Sequence, residues 1–594
     1  MLKTAKAWHD PASSGSAIDR KHKGEGIYIA MKTYGTGVAA SRITGVSLKK
    51  RFTIGNATAW LHLRTACAVR LLPLPLLLLL ALPVVGQALD YTYTANASTV
   101  TITGYTGPGG EVTIPGTIDG LPVTYIGASA FSHCTNLTSV TLPDGISKIG
   151  DLAFFACTNL TSVTLPDGIS RILGWAFLEC TSLTSVTIPN SVDLIGESAF
   201  VGCTSLTAIT VNEINPFYCS VAGVLFNNSQ TRLIQYPAGK GGSYLIPDSV
   251  TSIGQYAFAD CSSLFSVTIP NNVTSIGDWA FLDCTSLASI TIPNSVTDIG
   301  AGAFGGCTTM VAITVDPLNS KYRSVDGVVF GKNLPRLTQY PAGKAGSYTI
   351  PDSVIIIMQN AFYGCCCLTS VTIPKSVASI GLDAFSRCSS LTAITVDSLN
   401  FTYSSMAGVL FDKSQTTLIH YPEVKAGGYT IPNSVIGTGI RAFFCCTNLT
   451  SVTIPNSVTR LGNWAFDGCT KLVGVYFKGN APSIYADVFD GASTATVYYL
   501  PGTTGWSTTY GGRPTALWKP LVLNSDVSFG VRTNQFGFNI AWTSGQAVVV
   551  EACTDLVHPT WSPLQTNTLT GDSFYFSDPQ WTNDPGRFYR LRSP

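Results

Sequence analysis

Eleven cysteines recur at Cys134, Cys157, Cys180, Cys203, Cys261, Cys284, Cys307, Cys365, Cys388, Cys446 and Cys469, most of them 23 residues apart and three pairs 58 apart. Thiols in such a row suggest metal ligation or disulfide pairing. Rungs of a stacked sheet lie about 4.8 Å apart, within disulfide reach. Side chains at one repeat position point the same way, however, and an odd number cannot pair fully. The row therefore reads as a ladder of buried thiols, each acting as a small apolar side chain. Cys365-Cys366-Cys367 and Cys445-Cys446 are the exceptions able to oxidise if the chain reaches an oxidising compartment.

Other chemistry is sparse. Of six histidines only His133, His420 and His558 lie beyond residue 88, far apart in sequence. A repeat array cannot bring its two ends together, so no catalytic residue, metal site or cofactor is expected. Asp260, Asp283 and Asp467 stand just before cysteines of the row and read as a solvated acidic edge. Trp175, Trp279 and Trp464 share one repeat position, either as a row of exposed rings able to stack on sugars or, the favoured reading, packed between coils.

These residues sit on a repeat. From Ile126 to Leu472 the pattern I-G-x-x-A-F-x-x-C-T-x-L-T-S-V-T-I-P-x-S-V-x-x recurs eleven times; Ile276–Asp298 reads IGDWAFLDCTSLASITIPNSVTD. In LASITIP the alternation puts Ile290 and Ile292 on one strand face and Thr291 on the other. Pro293 ends the strand. Gly277 allows a tight bend, and Ala280, Phe281 and Cys284 fit one short helical or 3₁₀ turn. A lone coil of 23 residues buries too little to offset its ordering entropy, so coils must stack. A concave parallel sheet is expected, its outer rows of Ser and Thr (Ser139/Thr141, Ser289/Thr291, Ser451/Thr453) nearly uniform. Ice binding by such rows is disfavoured, because the sheet should curve and the rows are half Ser.

Three repeats, near 212-247, 316-351 and 397-432, carry 35 further residues with a shared G-V-[LV]-F…L-[IT]-x-Y-P: Gly223–Pro237, Gly327–Pro341 and Gly408–Pro422. Each reads as a β-hairpin with a polar tip, the natural place for such an array to carry specificity. The candidate ligand-binding residues are therefore Tyr236, Arg232, Tyr340, Arg336, Tyr421 and His420. The competing and favoured reading of the tyrosines is that they cover the widened coil.

Outside the array (126-475), residues 89-125 read as an N-terminal cap of short strands, 476-518 as degenerate closing repeats, and 519-594 as a small β-sandwich of alternating segments such as FGFNIAW and AVVVEACT. Residues 1-88 read as a leader. Leu71–Val85 is an apolar run after Arg64 and Arg70 that ends in a small-x-small pattern, the layout of a secretory signal, and it is too short and Pro-broken for a comfortable membrane span. A retained anchor is the weaker reading. A signal should begin near its charged region, so translation is expected to start near Val69 or between Lys49 and Arg64.

Of the 35 Lys/Arg, 12 fall within residues 1–88, with only 3 of the 34 Asp/Glu. The remainder is thus acidic by about eight charges and has no basic tract to neutralise phosphates, which argues against nucleic acid.

The unit A-F-x-x-C-T-x-L-T-S-V-T-I-P resembles the BspA-type leucine-rich repeat of bacterial and some protozoal surface proteins. The resemblance implies a β-rich leucine-rich-repeat superhelix with one short parallel strand per coil, followed here by the sandwich-like C-terminal module. It also implies a secreted or surface-attached, non-enzymatic protein that binds an extracellular protein, several relatives being adhesins; carbohydrate binding or a structural surface layer is the alternative. Oligomeric state is open.

Overall fold

In Ser289–Ile292 hydroxyl and aliphatic side chains alternate, and Ile290 and Ile292 turn inward while Ser289 and Thr291 face solvent. The strand pairs in parallel, residue for residue, with Ala312–Val315 of the next coil, as the 23-residue spacing requires. The computed structural model shows this arrangement throughout; it describes residues 90–594 except 486, 524–526, 534, 557, 584–586 and 594. The leader and its apolar run at 71–85 lie outside the described residues. Among the described residues there is no helix, and none long and apolar enough to cross a membrane.

Each regular coil adds a second, two-residue strand to the expected one. Ser252–Ile253, Ser275–Ile276 and Asp298–Ile299 stack in parallel on the side where the sequence reads S-V-x-x-I-G. The A-F-x-x-C segment differs from the expected helical turn. Trp279 and Asp283 hold φ of 55° and 54°, in the left-handed region that non-glycine residues seldom occupy. Alternate N–H groups thereby leave the coil: Trp279, Phe281 and Asp283 donate to Ala301, Ala303 and Gly305 of the next coil at 3.1, 2.8 and 2.9 Å, while Leu282 donates back to Trp279 at 3.0 Å. A helix would keep all of these bonds within one turn. Here half of them join coil to coil.

The core is a file of phenylalanines. Phe131, Phe154, Phe177 and Phe200 are buried and stacked, with centroids 5.0, 5.1 and 5.5 Å apart. Tyr105 of the N-terminal cap closes the file at 5.1 Å from Phe131. Ladder threonines do more than favour strand: the hydroxyls of Thr161, Thr184 and Thr207 donate to the backbone carbonyls of Thr138, Thr161 and Thr184, each 23 residues earlier.

At the far end, Gly474–Phe477, Thr496–Tyr499 and Arg513–Leu517 extend the main sheet. Beyond them two small antiparallel sheets, one centred on Gln535–Ala541 and the other on Ala547–Cys553, enclose Phe538, Ile540, Trp542, Val548, Val550 and Phe576. Leu500 and Trp518 of the closing coils pack into the same cluster, which ties this module to the array.

Candidate functional site

Each long repeat replaces half a coil with a three-stranded meander. In the first, Tyr218–Val221 pairs antiparallel with Val224–Asn227, which pairs with Arg232–Gln235; this last strand rejoins the stack through Ser252–Ile253. The main sheet is interrupted there, because the N–H of Ile209 bonds to Gly223 instead of a following strand. The same layout recurs around Val328–Gly331 and Val409–Asp412.

The central strand is apolar on both faces, and the structure shows why. Leu225 packs into the core of the preceding coils, whereas Val224 and Phe226 pack into that of the following coils. Val329 and Leu410 likewise face backward, with Val328, Phe330, Val409 and Phe411 facing forward. Each meander is a partition across the solenoid core.

Its docking rests on three side-chain types that the sequence reading passed over. Buried Asn215 donates to Pro189 O and Val192 O at 2.7 and 3.1 Å and accepts from the N–H groups of Phe217 and Tyr218. Asn319 and Asn400 repeat this brace. The hydroxyls of Tyr218, Tyr322 and Tyr403 accept the N–H of Ile195, Ile299 and Ile380, the exposed edge of the two-residue ladder. Ser220, Ser324 and Ser405 cap the main strand at Val211, Val315 and Val396. Aligning the three long repeats shows this signal as N-x-x-Y-x-S.

The predicted ligand residues fall into two groups. Tyr236, Tyr340 and Tyr421 are 1, 1 and 3 % exposed, which removes them as exposed binding aromatics and agrees with the favoured reading that they cover the widened coil. Each occupies the slot of a ladder phenylalanine. Its N–H donates to the next coil's alanine, Ala257, Ala361 or Ala442, and its ring stacks at 5.1, 5.0 and 5.1 Å on Phe258, Phe362 and Phe443. His420 is also buried; desolvation pushes its imidazole down to about 4, leaving it neutral. It stands where the other meanders have Gln235 and Gln339. Arg336 lies over the Tyr322 ring at 5.6 Å and donates to its hydroxyl at 3.3 Å. Arg232 is exposed and lines a cleft of about 460 Å³ between the first meander and the coil before it.

The remaining candidates are structural. Cys157, Cys284 and Cys469 are buried, and each thiol lies 3.0 Å from the carbonyl oxygen of a phenylalanine 26 residues earlier, Phe131, Phe258 and Phe443. Burial pushes the Cys157 thiol up to about 12. No disulfide joins the described cysteines, and Cys366 and Cys367 Sγ lie 3.4 Å apart. Trp279 is half-buried against Tyr363 at 4.7 Å, and Trp464 against the Arg441 guanidinium at 5.2 Å. The acidic edge is not solvated. Asp467 is buried, Asp283 faces Arg387 at 3.7 Å, and burial together with Asp283 raises Asp260 to about 7. The turn ladder that carries these positions stacks coil on coil, so neighbouring turns cover them.

The model for a BspA type leucine rich repeat region (6 copies) matches residues 113–238, 242–340, 339–426 and 423–507, well over half of the chain. This chain belongs to the BspA-type leucine-rich-repeat family. Among solved structures, the BspA-type array here is similar to a leucine rich cell surface protein from Faecalibacterium prausnitzii A2-165, at 31% identity over 66% of this chain and 94% of that one, TM-score 0.34. It is also similar to a leucine-rich repeat protein of T. pallidum (31% identity, 38% and 89% covered, TM-score 0.25) and to the pneumococcal vaccine antigen PcpA (20% identity, 72% and 97% covered, TM-score 0.29). No curated protein matches.

Proposed function

We propose that this BspA-type repeat protein is a non-enzymatic binder of proteins, working in adhesion at or outside the cell surface. The observation that carries the reading is where apolar side chains are left uncovered. Ile214, Leu318 and Leu399 hold the same position in the three meanders, at 72, 79 and 64 % exposure, and Phe401 beside the last is 90 % exposed. The outer rows of the sheet between them are mostly small hydroxyl residues, broken by exposed Leu245 and Phe265, and do not repeat a patch at one position as the meanders do. Uncovered aliphatic groups on a polar surface favour a protein partner. Three such patches held by one scaffold add their weak affinities through effective concentration.

The test is a screen of the full chain against immobilised matrix and cell-surface proteins. Binding that weakens tenfold or more when Ile214, Leu318 and Leu399 are all changed to Ser is the expected result. Absence of any protein ligand, or one indifferent to the triple variant, refutes the proposal.

A further inference from the structure

The cleft beside the first meander has a lining that its structural task does not require. From the preceding coil it takes Asp193, Glu197 and Ser198, and from the meander Phe217, Arg232 and Gln235. Ser198 is 6 % exposed, and its hydroxyl has no hydrogen-bond partner among the described residues. A buried hydroxyl left unpaired costs on the order of 1–3 kcal/mol, and this one stands in the wall of the cleft. Gln235, 4 % exposed, spends its amide N–H on Tyr236 O at 3.2 Å. Phe217 is 51 % exposed, and Arg232 carries its charge among the two carboxylates.

The other two meanders act as internal controls. Aligned on Tyr218, Tyr322 and Tyr403, the positions of Glu197 and Ser198 become Ala301 and Gly302 in the second and Leu382 and Asp383 in the third. Phe217 becomes Lys321 and Thr402. Both sisters make the same asparagine, tyrosine and serine bonds to the array. The acids, the buried hydroxyl and the exposed ring therefore serve something other than docking the hairpin.

We infer that this cleft binds a neutral saccharide unit. Its volume of about 460 Å³ suits a mono- or disaccharide within the usual range of small-ligand sites. Carboxylates accept sugar hydroxyl protons, the guanidinium and the serine hydroxyl donate in return, and the Phe217 ring offers an apolar face to the sugar's C–H side. Asp193 is already paired with Arg171 at 3.7 Å, so two carboxylates meet two guanidiniums and offer a phosphate or uronate no net positive charge, while an apolar ligand would leave the polar lining unpaired. This site uses none of the aliphatic residues proposed to contact protein, and it stands or falls independently of them.

The test uses the full chain and saturation-transfer NMR with the methyl glycosides of glucose, galactose, mannose and N-acetylglucosamine and disaccharides of each, followed by calorimetry. At least one sugar should bind. Phe217→Ala and Arg232→Ala, both at exposed positions and expected to leave thermal unfolding unchanged, should each weaken binding tenfold or more, while Arg336→Ala at the sister position leaves it unaltered. No saturation transfer to any probe, affinity indifferent to both cleft variants, or tighter binding of glucuronate or inorganic phosphate would overturn the inference.

Discussion

At the scale of residues, one slot in each coil decides stability: the ring after the ladder alanine. Phe281 is fully buried between Phe258 at 4.7 Å and Phe304 at 5.3 Å. Phe281→Ala should cost about 3–5 kcal/mol, read from denaturant unfolding. Tyr340 holds the same slot and, among the described residues, uses its hydroxyl only in a long 3.4 Å bond to Lys344 O. Tyr340→Phe should therefore change stability by less than about 1 kcal/mol and leave ligand binding intact; a large binding loss would contradict its placement in the core. Buried acids give a pH signature. Burial raises Glu423 to about 8, partly offset by the Arg387 N–H and guanidinium, and Asp260 to about 7. Both titrate near 4 in an unfolded chain, so folding takes up protons in between. Stability should fall as pH rises from about 4.5 to about 8 and level off above it. Glu423→Gln should flatten that slope, as melting temperatures at pH 5 and 8.5 would show.

At the scale of elements, the meander depends on its asparagine brace more than on its tip. Asn319→Ala strips partners from Pro293 O, Val296 O and the N–H groups of Lys321 and Tyr322. Pro293 O keeps the Val296 N–H, so a loss of at least about 3 kcal/mol is expected, at about 1–3 for each of the three groups left unpaired, with faster hydrogen exchange confined to Tyr322–Val325 and its neighbours. Leu334→Ser at the exposed tip should leave exchange at the brace unchanged. The N-x-x-Y-x-S signal was present in all three long repeats, but nothing in one chain's pattern tells a buried Asn from a turn Asn until its four partners are in place.

At the scale of the whole molecule, the partitions divide the interior into four hydrophobic clusters that meet at Val224/Leu225, Val328/Val329 and Val409/Leu410. Stability in a linear array is a sum of local and nearest-neighbour terms. The division of the core into separate clusters at the partitions should make unfolding stepwise. Native-state hydrogen exchange is expected to lose protection in blocks whose limits fall at these three strands; a single concerted loss from Val100 to Tyr510 would show that the partitions transmit packing as well as the regular coils do.

The 23-residue period by itself determined the stacked coils, the inward Ile290 and Ile292, the end of the strand at Pro293 and the buried thiol row, because each follows from alternation and from residues that recur in register. The family was legible in the same period. What only the tertiary structure decided lies where the chain departs from that period. The two left-handed residues per coil turn an expected helical turn into a ladder between coils. That ladder in turn buries Asp260, Asp283 and Asp467, which looked solvated from their charge. The tyrosines of the long repeats entered as candidate ligand groups because they stood outside the repeat pattern, with a covering role the favoured reading; the fold places them in the phenylalanine slot, 22 residues before the next ring. The first meander's cleft had no local signal beyond Arg232, since Ser198, Phe217 and Gln235 come together only when coil and hairpin dock.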